Sequence, residues 1–243
     1  MLIRVPQHTA RDLEAWERAT EQDEVHARSD RHRRAVERAS NELAGFASSG
    51  PCYLGVSWGK DSVCLAHLAA ANDVRVPVVY VAVHPLANPH NPLVRDAFLA
   101  RHTIDYHEIA VDCASAGDAL SIAGWRDGFA QAARLFGARH ISGVRGDESK
   151  TRALRMRRFG MSTESTCAPL GWWSAADVFA YLHAHDLPVH PAYAMSMGGL
   201  LPRERLRVAS IGGKRGQGMG RGEWEQRYYG WRLAEIRASL RQR

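Results

Sequence analysis

Lysine is almost missing from this 243-residue chain: Lys60, Lys150 and Lys214 stand against 29 arginines. Wherever any cation will do, the chain uses a guanidinium, so the three lysines point to places that need a compact ammonium. Cysteine is scarce as well. Cys52, Cys64, Cys113 and Cys167 contain no Cys-x-x-Cys pair, which argues against a zinc ribbon or a thioredoxin-like motif. Four scattered cysteines are not a disulfide framework either. Long apolar runs are absent, and none approaches the roughly 18 residues of a membrane-spanning helix. The first thirty residues lack the apolar stretch of a signal peptide, so a cytoplasmic location without membrane partners is expected.

What is present suits one sizeable core. Hydrophobic residues make up 45% of the chain and charged residues 24%, too apolar for a disordered tail. The net charge of +6 is unevenly spread. Residues 1–50 hold eight Arg against nine acidic residues, whereas residues 198–243 hold ten Arg and Lys214 against four Glu. The C-terminal fifth therefore carries the excess. Such a surface suits a polyanion, and equally a solvated Arg-rich helix.

Hydrophobic periodicity divides the chain. Residues 9–47 read as one or two helices, with Thr9 or Asp12 able to cap the start. Residues 52–57 form a short apolar strand and 62–71 a helix. The β-branched run at 76–83 suits a strand covered on both faces. Helices at 91–102, 120–136 and 148–158 then alternate with strands at 104–111 and 139–144. This β-α alternation predicts an α/β fold with a doubly wound parallel sheet. From Cys167 the pattern changes to a helix at 174–185 capped by Ser174, a proline-punctuated stretch, a loop with six Gly at 212–222, and a closing helix at 223–240. The expected division is a helical segment at 1–48, a core at 49–165, and a helical, Arg/Gly-rich extension at 166–243.

The strongest local signal is Ser57-Trp58-Gly59-Lys60-Asp61-Ser62, set between the first strand and its helix. Glycine lets the backbone turn closely around an anion. Successive N–H groups and the helix N-terminus then face it. Ser57 and Ser62 offer hydroxyls, and Lys60 adds a cation. Asp61 beside phosphates is a candidate magnesium ligand. The plainer alternative is a strand–helix turn on the surface, capped by Asp61 or Ser62. Two further segments stand out, Gly143-Val-Arg-Gly-Asp-Glu-Ser-Lys-Thr-Arg152 and Pro169-Leu-Gly-Trp-Trp-Ser-Ala-Ala-Asp-Val178, the latter followed by Tyr181-Leu182 and 188–193.

These three motifs, in this order, resemble the ATP pyrophosphatase superfamily. The first resembles its PP-loop in the form used by the phosphoadenosine phosphosulfate (PAPS) reductase-like branch. The likeness runs from about Cys52 to Tyr193. It implies an adenine nucleotide alpha hydrolase-like fold that binds ATP with Mg²⁺. Its catalytic residues would be Lys60, Asp61, Arg145 and Arg152, with Ser57, Trp58, Gly59, Ser62, His84 and Gly143 completing the nucleotide site. Glu148 would hold one of the arginines. His84 and Asn88 stand where relatives carry Thr-Gly and acidic residues. Trp172 and Trp173 are expected in the core, and Arg155, Arg157 and Arg158 on a solvated helix face.

The branch's reductases use a C-terminal cysteine, but the last cysteine here is Cys167. The four separated cysteines likewise suggest no iron–sulfur cluster. The likeness then points to the ATP pyrophosphatase component of DNA phosphorothioation (Ssp/Dnd-type). In that role the chain would adenylylate a DNA backbone phosphate, with single-stranded DNA as one form of the partner, for sulfur supplied by a cysteine desulfurase. Cys167 would be the sulfur relay if the chain carries one. Lys214, Arg215 and Arg221 would meet the polyanion. The alternatives are a reductase-like or sulfate adenylyltransferase-type enzyme of sulfur assimilation, and a nucleotide-dependent binding subunit without turnover.

Overall fold

The computed structural model describes residues 1–112, 118–208, 210–212 and 220–241. Two helices open the chain, α1 (Ala10–Ala27) and α2 (Asp30–Ser48). Thr9 caps α1 in a reciprocal box with Asp12, and Ser29 caps α2 through the His32 N–H. The sheet then builds through β1 (Tyr53–Val56), α3 (Lys60–Ala71), β2 (Val78–His84), α4 (Asn91–Leu99), β3 (Tyr106–Asp112), α5 (Asp118–Phe136) and β4 (His140–Ser142). Next come α6 (Lys150–Phe159), β5 (Thr166–Cys167), α7 (Ala175–Ala184) and α8 (Arg221–Arg241).

The five strands are all parallel and ordered β3-β2-β1-β4-β5. From β1 the chain winds outward to β2 and β3, then returns to β4 on the other side of β1. The winding direction therefore reverses between β1 and β4. In open sheets of this kind that reversal leaves a crevice at the carboxyl ends of the two strands. β5 joins the same sheet, so the strand at the start of the expected C-terminal extension belongs to the core. Two residues long, it carries too little pattern to be seen in the sequence.

Burial follows the apolar runs. Leu54, Val56, Val79, Val81, Val83 and Ile141 fill the sheet, and Val63, Leu65 and Leu68 of α3 cover it. α7 is nearly all core, and Phe179 meets Trp16 of α1 edge-on at 5.9 Å. Gly128 of α5 lies so near β2 that a Cβ there would fall 2.3 Å from Val81 Cγ1. The C-terminal helix is pinned from within, with Trp224 Nε1 donating to Met195 O (2.7 Å) and Tyr228 Oη to Asp12. Asp12 is fully buried and also accepts from Ser196 and Gly198, so one carboxylate joins α1, the 196–198 loop and α8. No helix among the described residues is long and apolar enough to cross a membrane.

Candidate active site

The turn from β1 into α3 holds itself shut. The Ser57 N–H donates to Ser62 Oγ (3.2 Å), and Ser62 Oγ donates to Gly59 O (3.0 Å). Trp58 takes a left-handed φ of 56°, unusual for a residue with a side chain. Its indole is wholly buried between Phe98 and Tyr106, at 5.8 and 5.6 Å. Trp58 is thus a core anchor that sets the turn, and the nucleotide role expected for it is corrected on this ground. At Gly59 a Cβ would lie 3.1 Å from Tyr193 Oη, which accepts the Lys60 N–H at 3.1 Å. Glycine here lets the tyrosine reach the first N–H of α3.

Lys60 follows at the helix start with only 4% of its side chain exposed, so the motif is not a surface turn. Its Nζ donates to Asp61 Oδ2 (2.8 Å) and lies 5.2 Å from the Tyr193 ring centroid. The segment after β4 supplies the other wall. Arg145, 3% exposed, donates through Nε to Asp61 Oδ1 (2.6 Å) and through Nη1 to Asp147 (3.2 Å) and Trp173 O (3.3 Å). Gly143 permits this approach, since a Cβ there would fall 3.1–3.2 Å from Asp61 atoms. Glu148 accepts the Arg145 N–H (3.1 Å) and the Arg152 guanidinium. Lys60 and Arg145 thus meet over Asp61, while Arg152 stands behind them, held by Glu148.

Burial alone would raise the Asp61 carboxyl, but the Lys60 ammonium and the Arg145 guanidinium outweigh it and hold it below the usual range. Burial would likewise lower Lys60, yet Tyr193 and Asp61 keep it above its ordinary value. All three groups stay charged, with two cations against one anion. Without nucleotide each Asp61 oxygen is held by a buried cation, Lys60 on Oδ2 and Arg145 on Oδ1, so magnesium would take Asp61 only once phosphates draw those cations away. In this state Asp61 is a counter-ion that positions Lys60 and Arg145.

Beside the turn, at the β1–β2 side, lies a narrow cleft of about 40 Å³ lined by Ser57, Tyr80, Asn88, Asn91, Trp125 and Phe129, among others. Trp125 and Phe129 are 38% and 40% exposed. Asn91 donates to Tyr80 Oη (2.7 Å), while its buried Oδ1 has no partner. Asn88 is held by the His90 N–H (3.0 Å). His84 is exposed at the end of β2, in register with Asp112.

Several expected roles are corrected. Cys167 is completely buried in β5, and burial pushes its thiol up to about 12. A protonated thiol away from solvent does not carry sulfur between proteins. Arg221 is spent on Glu225 (2.9 Å) and on the Trp224 ring (4.3 Å), so it pins α8 and does not face a polyanion. Arg203 is likewise buried against Asp23. Lys214 and Arg215 lie outside the described residues. Trp173 is core as expected, but Trp172 is 47% exposed. Arg157 and Arg158 are solvated, while Arg155 donates to Thr166 Oγ1 (2.7 Å). Among the residues not singled out for the site, Tyr193 had a signal, since it closes the third motif. Asn91 had none, because its unsatisfied oxygen exists only in the folded chain.

No family model matches the sequence, and no curated protein matches it. Among solved structures it is similar to NMN synthetase from Francisella tularensis, at 14% identity over 87% of this chain and 93% of that one, with a TM-score of 0.46. It is also similar to the U34-tRNA thiolase NcsA from Methanococcus maripaludis with its 4Fe–4S cluster, at 11% identity over 85% and 80%, with a TM-score of 0.44. The expectation of no iron–sulfur cluster is withdrawn, because it rested on spacing alone and Cys52, Cys64 and Cys167 are free and buried here. Separation of cysteines in sequence does not exclude a cluster.

Proposed function

We propose that this chain cleaves ATP between the α- and β-phosphates and transfers the adenylyl group to an oxyanion acceptor. One observation carries this reading. Two buried cations, Lys60 after β1 and Arg145 after β4, meet over Asp61 at the crevice where the sheet reverses. Incoming phosphates would exchange Asp61 for their own oxygens and gain the N-terminus of α3 besides. The adenine would lie over the mouth of the neighbouring narrow cleft. There the unpartnered Asn91 Oδ1 accepts a hydrogen bond from the exocyclic amine, and Trp125 and Phe129 offer faces to the ring. An acceptor oxygen then attacks the α-phosphorus and pyrophosphate leaves. Lys60 and Arg145 neutralise the charge that collects on the leaving group, which is the main demand of phosphoryl transfer.

The finer reading is a DNA backbone phosphate as acceptor, with sulfur from a cysteine desulfurase displacing AMP. A surface groove supports it. Arg31, Arg34 and Arg38 of α2 line it with Trp172 and Trp173, against Glu37 and Glu42. The three arginines are exposed. Guanidinium groups beside an exposed indole suit single-stranded nucleic acid, with phosphates on the cations and a base on the ring.

Product analysis tests the reaction: ATP should yield AMP and pyrophosphate, faster with single-stranded oligonucleotide than with sulfate. ADP as product would overturn the α,β-cleavage. Stimulation by sulfate alone would favour an enzyme of sulfur assimilation. ATP binding with no turnover under any acceptor would leave a binding subunit.

A further inference from the structure

Where α1, α2 and α7 meet, two histidines and an aspartate come together. His26 lies in the last turn of α1 and His32 in the first turn of α2, six positions apart across the helical corner. Asp177 lies in the first turn of α7. His26 Nε2 is 2.8 Å from Asp177 Oδ1, and His32 Nδ1 is 3.4 Å from the same oxygen. The three donor atoms all lie within 4.8 Å of one another. His32 and Asp177 are buried, at 5% and 2% exposure, while His26 at 26% forms the rim.

We propose that His26, His32 and Asp177 form a binding site for a divalent transition metal of the zinc class. Three features support it. The donor set of two imidazoles and one carboxylate is a zinc-type set, with room for water as a fourth ligand. The carboxylate is already oriented: Asp177 Oδ2 accepts from Ser174 N–H (2.8 Å) and Ser174 Oγ (2.6 Å), which leaves Oδ1 turned to the two rings. Such an outer bond is what fixes a ligating carboxylate in metal sites. The rim is accessible, because an open cavity lined by Glu21, Gln22, Val25 and Ser29 adjoins His26.

Two N–H groups sharing one carboxylate oxygen, one of them at 3.4 Å, make a weak hydrogen-bonded arrangement. A cation between the three atoms replaces both hydrogens, each ring then carrying its proton on the other nitrogen. Held this way, the metal clamps the α1–α2 corner to α7. The residues just before α7 touch the candidate active site, Trp173 O accepting from Arg145 and the Ala175 N–H donating to Asp147. Occupancy would thus stiffen one wall of that site. The inference does not depend on the reaction proposed above.

The test uses the full chain stripped with a chelator and then titrated with Zn²⁺ or Co²⁺. One equivalent should bind, with the intense visible absorption of four-coordinate Co²⁺. Zn²⁺ should raise the melting temperature, and Mg²⁺ should not. Affinity should fall more than tenfold between pH 7.5 and 5.5, as protons compete for the imidazoles. His26→Gln should lower Zn²⁺ affinity at least tenfold and abolish the thermal shift, while its metal-free melting point stays near that of the wild type. His32→Gln should do the same. If His32→Gln fails to fold, the partly exposed His26 decides the matter. No Zn²⁺ binding by the wild type, or unchanged binding by His26→Gln, would overturn the site.

Discussion

At the scale of single residues, Asp61 shows how one carboxylate can govern a site. It keeps two buried cations together, so its loss costs more stability than the loss of either partner's charge. Asp61→Ala leaves Lys60 without a counter-ion and Arg145 with only the half-exposed Asp147, and about 3–5 kcal/mol should be lost. Lys60→Met retains the apolar stem and leaves Asp61 paired with Arg145, so it should cost clearly less. Urea unfolding at pH 7 measures both. Equal losses would mean that the carboxylate is not the organising charge. Both variants should lack ATP cleavage. Asn91 supplies a different test. Asn91→Leu removes the acceptor proposed for the adenine amine and should raise KM for ATP roughly tenfold, the worth of about 1.4 kcal/mol, with little effect on weaker activity toward GTP. An unchanged ATP KM would remove Asn91 from base recognition.

Elements meet in this protein at positions where a side chain has been given up. Alanine at Gly128 would gain about 1 kcal/mol in helix propensity. Its Cβ would also lie 2.3 Å from a Val81 methyl. Overpacking of that kind costs roughly 1–3 kcal/mol, so Gly128→Ala should lower stability despite the better helix former. Thermal melting with an exposed Gly45→Ala in α2 as control separates the two effects, because a Cβ at Gly45 meets nothing within 4 Å. A more stable Gly128→Ala variant would contradict the close packing of α5 on β2. Gly143 eases the same kind of approach for the loop after β4, since a Cβ there would press on Asp61 at 3.1–3.2 Å.

For the molecule as a whole, charge sets both solubility and acid sensitivity. Asp12 and Asp61 are held below the usual carboxylate range; burial opposes this, and donors around Asp12 and cations around Asp61 prevail. Groups with depressed folded-state pKa values contribute stability that is present above about pH 4, the unfolded value. That stability is lost as the pH falls further, through their folded values. Denaturation midpoints should thus be flat near neutrality and drop steeply below pH 4. A midpoint that holds at pH 3 would contradict the pairing of these groups. On the surface, replacing Arg31, Arg34 and Arg38 with Gln should weaken single-stranded DNA binding. The slope of log affinity against log salt should shrink by about 2, at roughly 0.7 per phosphate released. An unchanged slope would take the groove out of the DNA-binding proposal.

The order and type of the main helices and strands were legible in the sequence because they rest on local patterns. The β-branched run of β2 suits a covered strand, and Thr9 and Ser174 are capping residues where the chain turns into a helix, whereas the Ser29 cap that divides α1 from α2 was not seen. The turn around Lys60 was legible as well, since Gly-Lys-Asp between a strand and a helix concentrates backbone N–H groups and charge. What the residues do to one another was not. The pairing of Asp61 with Arg145 spans 84 positions, and the burial of Arg203 and Cys167 depends on which elements cover them. An arginine in an Arg-rich tail looks the same in sequence whether it meets solvent or, like Arg221, a buried glutamate. β5 escaped notice because two residues hold no period, and its pairing with β4 exists only in the folded chain. The sequence by itself therefore determined the alternation of elements and the position of the turn around Lys60. Only the tertiary structure decided which charges remain free, because desolvation and pairing are properties of the packed chain.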